Sequence, residues 1–330
     1  MVKIGLFYNL RKDWIVTSEN PVDINADWDI TDTVGKLKEG LSHNDFEVLD
    51  LKDPELLLQK DVRNNIDIVF SICEMQGFRY RESIVPSICE FLQIPYVFSS
   101  PDSLMLSLDK NVCNFLVKQA GGNVPNWEIV TDSKNVNLKR CSDYPYIIKP
   151  IAEGSGIGIT KESVVCNAND LMLRTEYLLD AYKQPVLIQQ YIEGREITVG
   201  LIEKESTIHA FVPIEVRPKE LQQFLVYGFN EKENADSLFD FVPFEEDCDI
   251  VGLIKDTSIK AFRAINCRDA ARVDIRLSKK NIPYFIEINP LPHMHPDIGD
   301  FCRSAKLDGI NYFELLDIII NNSLKRYKLR

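Results

Sequence analysis

Apolar and polar residues alternate along 271–276 (Ala-Arg-Val-Asp-Ile-Arg) and again along 285–289 (Phe-Ile-Glu-Ile-Asn). That is the period of strands with one buried face. Alternation places Arg272, Asp274 and Arg276 on one face, and Glu287 and Asn289 on one face of the next strand. With Lys279-Lys280-Asn281 as the turn between them, the two polar faces can meet. Two acids and an amide oxygen then line one wall of a cleft, as hard oxygen ligands suited to Mg²⁺ beside nucleotide phosphates. A neighbouring arginine can hold a phosphate or a developing oxyanion. Two solvated strand faces carrying chance acids are the structural alternative.

Earlier in the chain the pattern changes. Residues 4–8, 47–51 and 66–72 read as apolar strands, with helical spacing over 33–41 and 83–92. Strand–helix–strand alternation implies a parallel sheet covered by helices. A helix over 111–120 follows, stopped by Gly121-Gly122. Residues 146–150 form a strand ending in Lys149-Pro150, and Glu153-Gly154-Ser155-Gly156-Ile157-Gly158 comes directly after, before strand-like residues resume. Glycines at this spacing between strands describe a hairpin whose bare amides can approach phosphates, or an ordinary turn. It is neither a Walker A loop nor a dinucleotide fingerprint.

A helix over 170–182 leads to a strand over 186–192, whose extended edge can hydrogen-bond a planar heterocycle, with Glu196 one short turn later. A strand is expected over 208–216. The polar, non-periodic stretch 217–241 is the length of a functional lid or a disordered segment. Helical spacing returns over 249–265 and 313–324.

Composition narrows the classes. At 330 residues the chain has room for two or three compact units. We divide it at 1–106, 107–199 and 200–330. A net charge of −12 argues against nucleic-acid partners, which need a concentrated basic face. No apolar run approaches membrane-spanning length, and the first residues read as a strand rather than a signal peptide. Eight cysteines without a CxxC pair indicate neither a zinc site nor a disulfide framework, so a reduced, cytoplasmic protein is expected.

Leu108-Asp109-Lys110, Ile148-Lys149-Pro150 with its glycine-rich loop, the 188–196 segment, Arg272-Val273-Asp274 and Glu287-Ile288-Asn289 occur in this order. Together they resemble the ATP-grasp superfamily, specifically the D-alanine–D-alanine ligase family, over most of the chain. The resemblance implies an α/β (α+β) ATP-grasp fold preceded by an N-terminal parallel-sheet domain. It implies ATP and two Mg²⁺ ions (or Mn²⁺) as cofactors, small amino-acid or peptide-like substrates, and a homodimer through the N-terminal region. Lys110 and Lys149 would contact phosphates, and Glu153, Gly154, Ser155 and Gly156 would form the loop over them. Gln189 with the backbone of Gln190, Tyr191 and Ile192 would read adenine, and Glu196 would hold the ribose. Asp274, Glu287 and Asn289 would bind the metals. Arg272, Ser155 and the lid residue Lys232 would serve catalysis.

The implied reaction joins a carboxylate to an amine through an acyl phosphate, so the lack of a Ser/His/Asp or Cys/His nucleophile set is no obstacle. The substrate positions depart from the family pattern. Asn9-Leu10-Arg11-Lys12-Asp13-Trp14 replaces a glycine-rich loop carrying an acid, and Cys73-Glu74-Met75-Gln76-Gly77 replaces a His-Gly pair. Arg81-Glu82 retains a matching acid. His293 stands where a glycine amide joins the oxyanion site, and Ile298 where a serine binds the second substrate's carboxylate. A ligase for substrates other than two D-alanines is therefore expected, with Arg11, Lys12 and Arg79 favouring an acidic acceptor. His293 and His295 are either loop packing or substrate contacts able to move a proton. A D-alanine–D-alanine ligase with a divergent pocket and a non-catalytic nucleotide binder are the alternatives.

Overall fold

The computed structural model describes residues 1–15, 17–18, 20–76, 80–136, 144–204 and 207–329. Among these residues the strands form three sheets. In the first, β1 (Lys3–Tyr8), β2 (Glu47–Lys52) and β3 (Ile68–Ile72) run parallel in the order β2-β1-β3. The helix Thr31–His43 makes the crossover and buries Val34, Leu37 and Leu41 toward the core, because those positions recur at helical spacing. The terminal helix Tyr312–Arg326 packs into the same core through Leu315, Leu316, Ile319 and Ile320. The end of the chain thus closes over its beginning.

The second sheet holds β4 (Trp127–Val130), β5 (Tyr146–Pro150), β6 (Val164–Val165) and β7 (Val186–Gln190) in the antiparallel order β4-β7-β5-β6. Helix Ala168–Tyr182, whose first turn is capped by the Asn167 side chain, covers it with Leu171 and Leu178. Strand β7 lies between β4 and β5, so it is not the edge expected from its sequence. The glycine-rich segment after Pro150 forms successive turns within the long connection between β5 and β6, which pair antiparallel as the expected hairpin requires.

The third sheet is antiparallel: β8 (Gly194–Lys204), β9 (Thr207–Ala210), β10 (Ile214–Pro218), β11 (Phe239–Pro243), β12 (Ala270–Ser278) and β13 (Pro283–Asn289). The path β11-β10-β8-β12-β13 carries β9 beside β8. The single strand expected over 208–216 is two strands. Pro213 has no N–H for a ladder, and the Val212 amide turns instead to Asp308 Oδ1 at 3.0 Å. Helices Cys248–Ala264 and Lys110–Gln119 cover this sheet over a core that includes Val117, Ile254, Phe262, Val273 and Phe285. The polar stretch after β10 contains two short helices, Phe229–Glu233 and Ala235–Leu238. Among the described residues no helix is long and apolar enough to cross a membrane.

Candidate functional site

The β12–β13 hairpin builds the centre of the site. Ala271, Val273 and Ile275 point into the core, which forces Arg272, Asp274 and Arg276 to the opposite face. The register pairs Arg272 with Asn289 and Asp274 with Glu287, so the polar faces meet as their spacing implied. A bulge follows: Ile275 pairs with Phe285, leaving Ile286 extra. Ile286 and Glu287 consequently line the same cavity. The Arg272 Nε and Nη2 donate to the two Asp274 oxygens at 3.0 and 2.9 Å, and Thr198 Oγ1 donates to Asp274 Oδ1 at 2.7 Å.

Glu287 lies 3.6 Å from Lys110 Nζ and 4.0 Å from Arg272 Nη2. Burial pushes its carboxyl up, but Lys110, Lys232, Lys149 and Arg272 outweigh that and hold it down at about 2. Lys149, 2% exposed at the end of β5, is lowered to about 8 by burial and by the charge of Lys110. Lys110 Nζ also donates to the Glu153 carbonyl, tying the start of the long helix to the glycine-rich segment.

One cavity runs from this centre along β7 and β8, lined by Lys149, Gln189, Ile192, Glu196, Lys232 and Asp274 among others. Gln189 is 1% exposed, and among the described residues neither its Nε2 nor its Oε1 has a hydrogen-bond partner. A buried amide left without partners is costly, and it offers one donor and one acceptor in a plane. The edge of adenine carries the complementary pair, so these residues fit a nucleotide. Arg276, absent from the sequence-derived set, organises this wall: it donates to Ile192 O at 3.1 Å, Glu196 Oε2 at 2.8 Å and Tyr191 Oη at 3.0 Å. The Tyr191 hydroxyl donates in turn to Leu225 O at 2.9 Å. Among the described residues no three His, Cys, Asp or Glu side chains cluster to hold a metal. Asp274, Glu287 and Asn289 supply two carboxylates and an amide oxygen, a set that suits Mg²⁺ once phosphate oxygens complete the shell.

The glycine-rich segment is held from two sides. A Cβ on Gly156 (φ +77°) would come within 2.7 Å of the Gly228 backbone, and one on Gly228 within 2.1 Å of Ile159 O. The loop and the start of the Phe229–Glu233 helix therefore lie backbone against backbone, which brings Lys232 to both cavities. On the other side, Asp23 accepts from the Gly158 amide at 2.8 Å. Arg81, 6% exposed, donates to Ala152 O at 3.0 Å, to Glu153 at 3.1 Å and to Asp27. Gln184 takes the other Glu153 oxygen at 2.6 Å. The Glu153 carboxylate is thus a brace for the loop. Ser155, with φ +47°, lines the larger cavity beside Gly154.

That larger cavity, about 580 Å³, opens on the far side of Arg272, Ser155, Lys232 and Asn289. Glu74 and Glu82, both in segments singled out from the sequence, line its outer wall, whereas Asp27 and Asp29 from the non-periodic 21–30 segment and Asp300 from the start of a late helix were not marked there. Burial raises the Glu74 and Glu82 carboxyls, the latter to about 7, with each other and Asp27 close by.

Of the residues expected to favour an acidic acceptor, Arg11 lines the cavity but is already engaged. Arg11 donates to Trp28 O at 2.8 Å, Ala26 O at 2.7 Å and Glu233 at 2.5 Å, so its charge is neutralised and it holds the Asp27–Asp29 segment. Lys12 is exposed and outside the cavity lining. Arg79 and Gly77 lie outside the described residues. Ile298 and His293 both line the cavity, while His295 is buried at 4% exposure.

The sequence profile described as "D-ala D-ala ligase C-terminus" matches residues 116–321. A D-alanine–D-alanine ligase A of Bacillus cereus is 31% identical over 261 residues, covering 78% of this chain and 82% of that protein. Among solved structures, a D-alanine–D-alanine ligase of Bacillus anthracis superposes with a TM-score of 0.77 at 24% identity over 99% of each chain. The D-Ala:D-Ser ligase of Enterococcus faecalis gives 0.73 at 18% identity over 98% of this chain and 99% of that one. With strands, loops and relatives in agreement, the chain belongs to the D-alanine–D-alanine ligase family of ADP-forming ATP-grasp ligases, whose cofactors are ATP and Mg²⁺.

Proposed function

We propose that this chain joins a carboxylate to an amine on amino-acid-like substrates other than two D-alanines. The observation that carries this reading is the lining of the larger cavity. Ile298 presents an apolar side chain where a hydroxyl would receive a carboxylate, and Asp27, Asp29, Glu74 and Glu82 make the opposite side acidic. Such a wall favours substrates bearing ammonium groups over acidic ones, because an ammonium would draw the raised Glu74 and Glu82 carboxyls back to their charged form, whereas an added carboxylate would push them further up.

When bound, ATP supplies the phosphoryl group that turns an unreactive substrate carboxylate into an acyl phosphate. The residues of the chain act around that event. Lys110, Lys149 and Lys232 would neutralise phosphate charge, and Asp274, Glu287 and Asn289 would hold Mg²⁺. Arg272 would stabilise the oxyanion formed when the amine attacks the acyl carbon. Ser155 and the loop around it would exclude water from the acyl phosphate. The seven described cysteines are all free thiols, which suits work in a reducing compartment such as the cytoplasm.

A second reading, ligation of two D-alanines, is favoured by the names of the relatives. ADP release with Mg²⁺-ATP, comparing D-alanine alone with pooled amino acids and dipeptides, separates the two when products are weighed by mass spectrometry. Turnover only with a pool supports the proposal. A D-alanyl-D-alanine product at full rate refutes it.

A further inference from the structure

Two histidines stand two residues apart in the loop after β13, and both turn Nε2 toward an acid of the 29–33 segment. His295 Nε2 lies 2.8 Å from Asp32 Oδ2, and its Nδ1 accepts from the Asp297 and Ile298 amides at 3.1 and 3.3 Å. Both ring nitrogens are occupied, so His295 pins the loop. His293 Nε2 lies 3.4 Å from Asp29 Oδ1 and 3.2 Å from Thr33 Oγ1. No hydrogen bond among the described residues reaches its Nδ1. Its side chain keeps 36% exposure, within the cavity that Arg272, Ser155 and Lys232 also line.

We propose that His293, oriented by Asp29, is the base that takes the proton from the attacking amine. The inference rests on the acyl-phosphate reading above. Of the two oxygens at Nε2, the Thr33 hydroxyl can donate or accept while Asp29 can only accept, so the pair together favour the tautomer with the proton on Nε2 and a lone pair on Nδ1. At neutral pH the substrate amine is an ammonium, and one N–H proton must pass to Nδ1 before the nitrogen lone pair can attack; the Asp29 carboxylate stabilises the imidazolium. As the N–C bond forms, the C–O bond to phosphate breaks and its electron pair leaves with phosphate, which also carries off the second N–H proton. Asp29 is a positioning residue in this scheme. The charged groups around His293 are Asp29 in direct contact, Asp32 held at His295, and Arg272 and Asp300 across the cavity.

The chain has only four histidines, so ¹⁵N-histidine labelling gives readable ring-nitrogen NMR signals of the free protein, with His293→Gln and His295→Gln assigning them. The His293 shifts should show the Nε2–H tautomer, and Asp29→Asn should move them toward a mixture of tautomers. An Nδ1–H tautomer, or shifts blind to Asp29→Asn, overturns the pairing.

A kinetic arm uses Mg²⁺-ATP with pooled D- and L-amino acids, with and without hydroxylamine, a nucleophile already uncharged at neutral pH. For His293→Gln the ratio of hydroxamate to amide product should rise about 10²-fold, within the range usual for a lost general base. His295→Gln should lower both products in step. An unchanged ratio in His293→Gln refutes the proposal. Wild-type enzyme that makes neither product sinks the ligase reading and this inference with it, a result distinct from loss of the amide alone.

Discussion

The two cavities meet at Tyr227 and Lys232 and are built by different means. The nucleotide side stands on paired strands: β5 delivers Lys149, β7 Gln189, β8 Glu196, and the β12–β13 hairpin Asp274 and Glu287. Its side chains are locked by neighbours in register, as Arg276 and Glu196 show across β12 and β8. The other side is assembled largely from loops and helix ends: 26–30, Glu74, Glu82, 227–237 and 289–303. What fixes its side chains is long-range ion pairing, such as Arg11 with Glu233 and Arg81 with Asp27. Strand-borne groups keep their geometry when a loop changes, whereas a loop-borne wall can be rebuilt around an unchanged reaction. A strand-built centre can thus stay fixed while a loop-built wall beside it varies.

The comparison breaks most sharply at the metal pair. Asp274→Asn should cut ADP release by about 10²–10³-fold, the usual effect of losing one electrostatic contact to the transition state. ATP binding measured by calorimetry should survive. Unchanged ADP release would remove Asp274 from the centre. Next comes the contact that joins the two sides. Gly228→Val would drive a Cβ into Ile159 O and wedge the glycine-rich loop from the lid. Its apparent KM for ATP should rise about tenfold, equivalent to ~1.4 kcal/mol. Gly35→Ala, with nothing within 4 Å of the added Cβ, is the matched control and should be silent.

A smaller effect tests the base-reading amide. Gln189→Ala should weaken ATP binding about fivefold, near the ~1 kcal/mol of a typical hydrogen bond, and narrow the preference over GTP. Equal binding of both nucleotides by the unaltered chain would displace Gln189 from that role.

The smallest expected effect lies in the acid wall. Burial, with Asp27 adding to it and Arg81 opposing, raises Glu82 to about 7. The folded chain then holds a proton that the unfolded chain has released at the ordinary carboxylate range. Stability must therefore fall as pH rises from that range toward about 7. Glu82→Gln should flatten that fall, changing the slope of Tm between pH 5 and 7 by about 1–2 °C. A slope identical to that of the unaltered chain would mean Glu82 is ionised throughout.

How much was legible follows from distance along the chain. The alternation at 271–276 and 285–289 marked both polar faces locally, but with Arg276 opposite Tyr284 a regular register would turn Glu287 to the core side; the bulge at Ile286, which no alternation announces, brings it opposite Asp274. The helix spacings at 33–41, 170–182, 249–265 and 313–324 were equally local, and each helix forms within a few residues of its expected ends. The strand over 208–216 failed at Pro213, where one missing donor outweighs apolar pattern. Short acids in the irregular 21–30 segment carry no period, so nothing in the sequence marked Asp27 or Asp29 as wall residues. Only the tertiary structure decided that His293 meets Thr33 across 260 positions, or that His295 meets Asp32 across 263. Those pairs exist because the loop after β13 and the late helices pack against the first sheet and its crossover helix. Such contacts depend on how separate cores bury their apolar faces together, not on any pattern within one segment.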